Sequence, residues 1–238
     1  MPPNRTPVWK SIHHALSADI AEGRYAPGDK LPTEADLARR FGVNRHTVRV
    51  ALAELAEAGL TFARRGAGVF VTQAPTEYPL GRRVRFHQNL RAAGRLPSRQ
   101  TLSIETRQAD TREAGALSRA PGETVHVFEG LSLADGQPIA LFRSVFPARP
   151  FPDLTDALER TGSVTAALRE AGVTDYIRAW TRVTAKLATA TQALHLQTRE
   201  GAPLLRTVSL NVDPDGQPVE YGRTWFSGDR VTLSLTEN

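Results

Sequence analysis

Two short helical patterns separated by only three residues constrain the fold of this chain more than any other feature of its sequence. The first pattern covers residues 31–41, the second covers residues 45–58, and residues 42–44 lie between them. The second pattern repeats its apolar residues at the spacing of one helix face: Val48, Leu52 and Leu55. Because so short a break lets two helices pack against each other, the sequence predicts a helix-turn-helix.

A helix before this pair and a hairpin after it extend the pattern. An apolar stripe over residues 8–22 predicts a helix that ends near Gly23, and its members are Trp9, Ile12, Leu16 and Ile20. Thr33 and Asn44 stand where N-caps are expected, one before each helix of the pair. Residues 62–71 indicate two short strands around a basic tip that contains glycine. Together these elements predict a winged helix-turn-helix.

The second helix of the pair has a polar face opposite its apolar stripe, formed by Arg45, His46, Thr47 and Arg49. In a major groove, arginine bonds guanine O6 and N7 as a fork, and threonine or histidine reaches base edges or phosphate. The alternative is a solvated basic face without function. The hairpin argues against that alternative, because Arg65 and Gly66 at its tip can approach the DNA backbone closely.

Residues 31–71 resemble the DNA-binding domain of GntR-type bacterial transcription regulators. The match runs through a Leu-Pro-Thr-Glu start, a Val-Asn-Arg turn, a Thr-Val-Arg core of the second helix and an Arg-Gly hairpin tip. The resemblance puts Arg45, Thr47, Arg49 and Gly66 at the family's DNA-contacting positions. With Thr33, His46 and Arg65 they form the candidate DNA-binding set. Because one winged helix reads only a few base pairs, the partner is expected to be a palindromic double-stranded operator bound by a homodimer.

Charge and composition agree with a DNA-binding front end. The first 107 residues carry 17 Lys and Arg against 9 Asp and Glu, whereas the rest of the chain carries 13 against 16. This asymmetry favours a polyanion partner for the front end only. The chain has no cysteine, which excludes disulfides, thiolate zinc sites and cysteine nucleophiles. No apolar run of about 18 residues and no signal-peptide core is present, so we expect a cytoplasmic protein without a membrane partner.

The remainder of the chain predicts a second, mixed domain, so the fold class is α+β. We assign residues 1–73 to the winged helix, 74–82 to a proline-containing linker and 83–238 to an effector-binding domain. Strands joined by tight turns favour an antiparallel sheet. Helices are predicted near 85–94, 163–171 and 188–196, and strands near 101–106, 124–133, 138–146, 204–212, 218–227 and 231–235, with another possible strand at 176–186.

One internal echo stands out in this second part. The tetrapeptide Asp-Gly-Gln-Pro occurs at 135–138 and again at 215–218, and the strands that follow align without gaps, so that Arg143 matches Arg223. The echo indicates two equivalent halves, although turn chemistry alone also produces repeated Asp-Gly hairpins. An arginine on an apolar strand face must be paired or must meet a ligand. Both outcomes remain open: an anion clamp, or an ion pair with Glu129 or Glu220.

Residues from about 78 to 238 resemble the UTRA effector domain of the HutC branch of this family, a fold related to chorismate lyase. The matching stretches include the first Asp-Gly hairpin, GSVTAAL at 162–168 and the second hairpin, and residues 77–98 are similar to regulators of phosphonate utilisation. The resemblance implies a site between the sheet, the segment after the linker and the helix that starts at Ser163. The candidate effector-binding residues are Arg85, Phe86, Asn89, Arg143, Ser163, Thr165, Glu220 and Arg223.

The sequence therefore predicts a transcription repressor that responds to a small anionic effector, a phosphonate or a phosphate-bearing metabolite, with no cofactor, no metal and no catalytic residues. Glu220 would pair with an amine on that effector. Sugar-phosphate-sensing relatives have arginines where this chain has Glu129, Gly130 and Ser132, which argues against a sugar phosphate. The alternatives are an enzyme of chorismate-lyase-like fold fused to a DNA-binding domain, or a sensor of a non-phosphorylated small acid or amine. The six histidines lack metal-ligand spacing.

Overall fold

The computed structural model describes residues 7–64, 66–83 and 86–235, apart from the side chains of Arg64 and His87. Two compact units divide the chain between Ala74 and Pro75. Arg65 and Arg85, which the sequence analysis predicts as site residues, lie outside the described residues. In the part of the chain that is described, no helix is long and apolar enough to cross a membrane.

The first unit is the winged helix-turn-helix that the sequence predicts. It contains α1 (Val8–Ala21), α2 (Glu34–Phe41), α3 (Arg45–Glu57) and an antiparallel hairpin of β1 (Thr61–Arg64) and β2 (Gly68–Val71). Its core is formed by side chains from all three helices and the hairpin: Ile12, Leu16, Leu31, Leu37, Val48, Ala51, Leu52, Leu55 and Val71.

Side-chain caps fix the two helices of the pair. The Thr33 hydroxyl accepts a hydrogen bond from the Asp36 amide, and the Asp36 carboxylate accepts one from the Thr33 amide, which is a complete capping box at the start of α2. Gly42 ends that helix in the left-handed conformation, with φ of 64°. The Asn44 side chain accepts from the Thr47 amide at 2.8 Å and begins α3. The predicted caps at Thr33 and Asn44 are therefore confirmed.

The second unit is built on a six-stranded antiparallel sheet in the order β4-β5-β6-β9-β8-β7. Its strands are β4 (Pro97–Gln108), β5 (Thr124–Ala134), β6 (Gln137–Pro147), β7 (Ile177–Leu187), β8 (Pro203–Val212) and β9 (Pro218–Ser227). A separate parallel pair joins β3 (Thr76–Pro79) and β10 (Val231–Ser234). The helices are α4 (Phe86–Ala92), α5 (Thr111–Ala116), α6 (Leu154–Thr161), α7 (Val164–Glu170) and α8 (Ala190–Leu196).

Three of these elements were not predicted from the sequence. The segment predicted as linker contains β3, whose partner β10 is more than 150 residues away along the chain, so no local pattern reveals the pairing. Helix α5 has only six residues and α6 only eight, too short for a clear apolar period. Tertiary packing, rather than local propensity, stabilises helices of this length.

The structure confirms the two halves that the sequence echo suggests. Each half consists of a strand, a short helix and a hairpin, first as β4-α5-β5-β6 and then as β7-α8-β8-β9. The two halves meet at the β6·β9 pair, so the strand order is the same read from either edge of the sheet. Arg143 and Arg223 lie directly opposite each other in that pair. The echo therefore marks a pseudo-twofold axis through the centre of the sheet.

Both faces of the sheet are packed. Helices α6 and α7 cover one face around a phenylalanine-rich cluster that includes Phe128, Phe142, Phe146, Leu158 and Leu168. Apolar side chains of the strands, with α5 and α8, fill the other face, and they include Val127, Val145, Tyr221, Leu131 and Leu204. Away from the register shifts at 101/103, 132/133, 178/180 and 211/212, side chains on the two faces alternate along the strands, which helps decide where the strand residues of the candidate site point.

Candidate functional site

The first candidate site is the polar face of α3. Arg45, His46 and Arg49 are exposed and Thr47 is half-buried, while Val48 between them is fully buried in the core. The three exposed side chains thus project from the first turns of a helix whose opposite face is packed into the core. Gly66, at the hairpin tip, is exposed with φ of 75°, a conformation that favours glycine. This arrangement matches a recognition helix with an accompanying wing.

Arg49 is held in position by a neighbour from α2. Its Nε donates to Glu34 Oε1 at 3.1 Å and its Nη2 to Oε2 at 2.8 Å, a bidentate ion pair. The hydrogen bond from Arg49 lowers the pKa of Glu34, and the same bond raises the pKa of Arg49. Because the pair is exposed, it adds little to folding stability; its effect is to orient the guanidinium fork on the surface of α3.

The two threonines of the DNA-binding set have structural contacts. The Thr33 hydroxyl donates to Asp36 Oδ2 at 2.6 Å, and the Thr47 hydroxyl donates to Asn44 Oδ1 at 3.0 Å. Each hydroxyl has a single proton, so it must leave its cap partner in order to donate to a phosphate. Arg45 and Arg49 therefore offer the stronger donors on this surface.

The second candidate site is a cavity on the sheet face covered by α6 and α7, called the effector cavity below. It consists of an outer hollow of about 440 Å³ and an inner hollow of about 80 Å³ that share Phe86, Arg99 and Thr165. The outer hollow is bordered by Gln88, Arg91, Ser163, Ala166 and Arg169. The inner one is bordered by Tyr78, Ser132, Phe142, Ser144, Val164, Tyr176, Arg178, Asn211, Glu220, Thr224 and Phe226.

Arg99 is the central side chain of this cavity, and the sequence analysis did not predict it. Its guanidinium lies over the rings of Phe86 and Phe142, at 5.2 and 4.8 Å from their centroids. Its Nε is buried without a hydrogen-bond partner among the described residues. Burial lowers the pKa of Arg99, although arginine remains protonated in proteins. An unpartnered donor on a buried cation is costly unless an anion satisfies it.

A polar chain runs along the opposite end of the inner hollow. Arg178 Nε donates to Asn211 Oδ1 at 2.7 Å, and Asn211 Nδ2 donates to Glu220 Oε2 at 2.6 Å. The Ser144 hydroxyl donates to the other oxygen of Glu220 at 2.5 Å. Thus Glu220, a predicted effector residue, lines the cavity, and each edge strand of the sheet supplies one arginine to it, Arg99 from β4 and Arg178 from β7.

The predicted residues near α7 also line the cavity. Thr165 shares a hydrogen bond of 2.8 Å with the hydroxyl of Tyr176. The Ser163 side chain caps α7 by accepting from the Ala166 amide at 3.3 Å. Tyr78, on the opposite wall, is buried, and this burial raises its pKa to about 12, so the phenol stays protonated at any physiological pH.

The segment after β3 contributes one of its predicted residues directly. Phe86 is buried and stacks on Arg99 at the boundary between the two hollows. Asn89 does not border either hollow; its side-chain amide donates to the backbone carbonyl of Pro79 at 3.5 Å and so ties α4 to β3. We infer that Asn89 has a positioning role.

The structure separates Arg143 and Arg223 from the rest of the predicted effector set. Phe142 and Ser144 line the cavity, so Arg143 between them points to the other face of the sheet. Arg223 is directly opposite Arg143 across the β6·β9 pair and shares that face, whereas Glu220, three residues earlier, does not. The strand alternation in the sequence was correct, but it could not show which face carries the cavity.

The contacts of these two arginines favour the structural alternative. Arg143 forms an ion pair with Glu129, one of the two partners that the sequence suggested. Arg223 lies 4.0 Å from the Asp110 carboxylate and over the ring of Tyr221. Arg99, which is half-buried and has no carboxylate partner in the described part of the chain, therefore replaces them as the cationic centre of the candidate site.

A larger open hollow of about 1260 Å³ lies beside the cavity, between the segment after β3 and the start of β7. It shares Tyr176 and Arg178 with the effector cavity. Of the two arginines that border this hollow alone, Arg82 and Arg83, the second is paired with Asp175 at 2.7 Å. Across the described residues, no group of three His, Asp or Glu side chains could hold a metal ion.

Comparisons with known proteins identify the two domains in which these candidate sites lie. A model of the gntR family of bacterial regulatory proteins matches residues 9–71, and a model of the UTRA domain matches residues 92–232. An uncharacterised HTH-type transcriptional regulator from Rhizobium meliloti is 37% identical over 96% of this chain and 94% of its own length. The probable transcriptional regulator PhnF of Escherichia coli is 35% identical over 95% of this chain and 94% of its length.

A solved structure extends the likeness to the whole fold. The crystal structure of PhnF from Mycobacterium smegmatis matches with a TM-score of 0.65 at 27% sequence identity, covering 95% of this chain and 99% of that one. A winged helix with arginines on its recognition helix, followed by this α+β domain, defines a DNA-binding transcription regulator. The chain belongs to the GntR family, in the HutC branch that carries a UTRA domain, and within that branch it is PhnF-like.

Proposed function

We propose that the protein is a repressor whose operator binding is relieved by a small phosphonate or phosphate-bearing metabolite in the effector cavity. The observation that carries this proposal is Arg99, a half-buried cation in the cavity whose buried Nε has no hydrogen-bond partner among the described residues. Phosphoryl and phosphonyl oxygens accept charge-assisted hydrogen bonds from arginine, and a single anion would compensate both the charge and the donor. The similarity of residues 77–98 to regulators of phosphonate utilisation supports the same class of ligand.

On the DNA side, we propose that the protein binds a palindromic operator in the cytoplasm as a homodimer, with Arg45 and Arg49 as the principal contacts of each recognition helix. Two copies are needed because a single recognition helix reads too few base pairs for useful specificity. The effector must prefer one arrangement of the two DNA-binding units over another, since a ligand with equal affinity for both shifts nothing. Sedimentation of the full chain with and without operator tests the dimer; a monomer in both conditions contradicts it.

The effector proposal is tested by measuring how tightly the full chain binds its operator. Fluorescence anisotropy of a labelled operator duplex, selected in vitro, reports this binding. Alkylphosphonates and phosphate monoesters are added at increasing concentration, with acetate and ethylamine as non-phosphorylated probes. We expect phosphonates or phosphate esters to release the duplex and acetate and ethylamine to have no effect. If no phosphonate or phosphate ester changes operator affinity at millimolar concentration, the proposal is wrong.

Arg99→Met and Arg223→Met form a matched pair for the same assay. Both remove a half-buried strand arginine from the sheet, but only Arg99 lies in the cavity. We expect Arg99→Met to lose the response to the anion and Arg223→Met to keep it. Operator binding without anion reports that each variant is folded. If the anion still releases the operator from Arg99→Met but no longer releases it from Arg223→Met, the anion binds on the other face of the sheet.

A further inference from the structure

Within the described part of the chain, Glu220 has no cationic partner, unlike two other carboxylates of the same unit, Glu129 of the sheet and the buried Glu113 of α5. Among the described residues, its two oxygens accept only from the neutral donors Ser144 and Asn211. In contrast, Glu129 is paired with Arg143 and Glu113 with Arg107. Neutral donors satisfy the hydrogen bonds of this carboxylate without placing a positive charge against it.

Asn211 bridges Arg178 and Glu220 in that wall. Arg178 donates to the amide oxygen of Asn211, and the amide nitrogen of the same side chain donates to Glu220. The asparagine therefore satisfies hydrogen bonds on both sides without neutralising either charge. Asn211 is buried, so this bridge is shielded from solvent.

Arg99 presents the opposite situation in the same cavity. It has no carboxylate within ion-pairing distance among the described residues, and aromatic rings of Phe86 and Phe142 occupy the space around it. Both Arg99 and Glu220 border the inner hollow, yet they do not pair with each other. Among the described residues, the inner hollow thus has one carboxylate without a cationic partner, Glu220, and two arginines without a carboxylate partner, Arg99 and Arg178. Arg178 donates to Asn211 and Thr181, whereas the Nε of Arg99 has no acceptor.

From this we infer that the effector is a small zwitterion, whose anionic group binds Arg99 and whose protonated amine binds Glu220. The inference rests on the proposed function and narrows its ligand class. A simple anion would satisfy Arg99 but would remain repelled by Glu220, whereas a ligand with both charges neutralises both side chains. The unpaired carboxylate is therefore a device that discriminates against anions without an amine.

The inference is tested by calorimetry on the full chain with three probes of matched length. These are 2-aminoethylphosphonate, ethylphosphonate and ethylamine, which carry both charges, the anion alone and the amine alone. We expect 2-aminoethylphosphonate to bind at least about tenfold more tightly than either of the others. This comparison uses the unmodified protein, so it does not depend on whether a variant folds.

Glu220→Gln then assigns the preference to one side chain, with Glu200→Gln, an exposed carboxylate of the same unit, as its control. The advantage of 2-aminoethylphosphonate over ethylphosphonate should fall to less than about threefold in Glu220→Gln and persist in Glu200→Gln. Equal binding of the two phosphonates by the unmodified protein overturns the zwitterion inference but leaves the proposed function intact. Binding of neither phosphonate overturns both, and ethylamine binding as tightly as the zwitterion makes the ligand a simple cation.

Discussion

The DNA-reading surface and the effector cavity are built in opposite ways. The polar residues of the recognition helix all come from the first turns of α3, and the caps that position them span only three residues of sequence. The cavity draws Phe86, Arg99, Thr165 and Glu220 from four separate elements. A surface encoded within one helix can be recognised locally, whereas a cavity assembled from distant strands depends on register and on which sheet face is covered.

The two regions also differ in how their arginines are satisfied. Arg49 is exposed and already has a bidentate partner in Glu34. Arg99 is partly buried, has no carboxylate partner among the described residues and keeps its Nε unbonded. Exposed pairs contribute little to stability, but a buried unsatisfied donor costs about 1–3 kcal/mol. The exposed pair on α3 therefore costs little, whereas the cavity contains a donor that is unsatisfied among the described residues and that the proposed anion would satisfy.

The largest effect is expected on the DNA surface. Arg45→Ala should weaken binding to the selected operator by about 1–3 kcal/mol and relax the preference at one base, as expected when a bidentate base contact is lost. Titrating matched duplexes that differ at one base pair measures both quantities. Arg24→Ala, which changes an exposed arginine outside the recognition helix, is the control. An Arg45→Ala variant with unchanged affinity contradicts the role of the helix.

The next effect concerns a glycine that shapes the cavity. A Cβ on Gly130 would lie 2.6 Å from the backbone oxygen of Gln100 and 2.8 Å from the ring of Phe142, which stacks on Arg99. Gly130→Ala should therefore lower the free energy of unfolding by about 1–3 kcal/mol, since overpacking forces neighbours to shift. Urea denaturation of the full chain measures the change.

The control for this variant is Gly115→Ala, where a Cβ would meet nothing within 4 Å. We expect Gly115→Ala to leave the free energy of unfolding unchanged or raise it by up to about 1 kcal/mol, because alanine is favoured over glycine within a helix. Equal free energies of unfolding for the two alanine variants would mean that Phe142 and its neighbours can shift to accommodate the added methyl group without cost.

A smaller effect, of opposite sign, is expected at Arg99. Arg99→Met removes the unsatisfied donor and keeps an apolar side chain between the rings of Phe86 and Phe142, so the free energy of unfolding should stay equal or rise by up to about 1–2 kcal/mol. Thermal melting without effector measures it. A variant that loses anion response and gains stability fits a binding site; a destabilisation above about 2 kcal/mol would make Arg99 a structural residue.

The smallest effect is expected at Glu34. Glu34→Gln removes the partner of Arg49 and one negative charge beside the DNA surface. Binding to non-operator DNA should rise about two- to fivefold at low salt, because phosphate attraction increases, while discrimination of the operator falls. Competition titrations with random duplex DNA measure the ratio of operator affinity to non-operator affinity. A variant that keeps the same ratio would show that the pair does not orient Arg49.

Much of the architecture could be predicted from local sequence. The apolar stripes of α1 and α3, the caps at Thr33 and Asn44 and the repeated Asp-Gly hairpins depend on contacts within a few residues, and the structure confirms them. The alternation that sets Arg143 and Arg223 on one face was also correct. The prediction that Arg143 and Arg223 belong to the effector site was wrong. Periodicity shows that two residues share a face, but it does not show which face of a sheet packed on both sides carries the cavity.

The amino-acid sequence by itself determined the winged helix, the polar face of α3 and the two-halved antiparallel sheet, since short-range hydrogen bonding and apolar periodicity encode these. Only the tertiary structure decided that β3 pairs with β10, that α6 and α7 cover the face opposite Arg143, and that Arg99 and Glu220 share one cavity. Residues 99 and 220 meet because the register of the sheet and the helices packed on it place them there. That register is fixed by the summed packing of the whole unit and is written in no single segment of the chain.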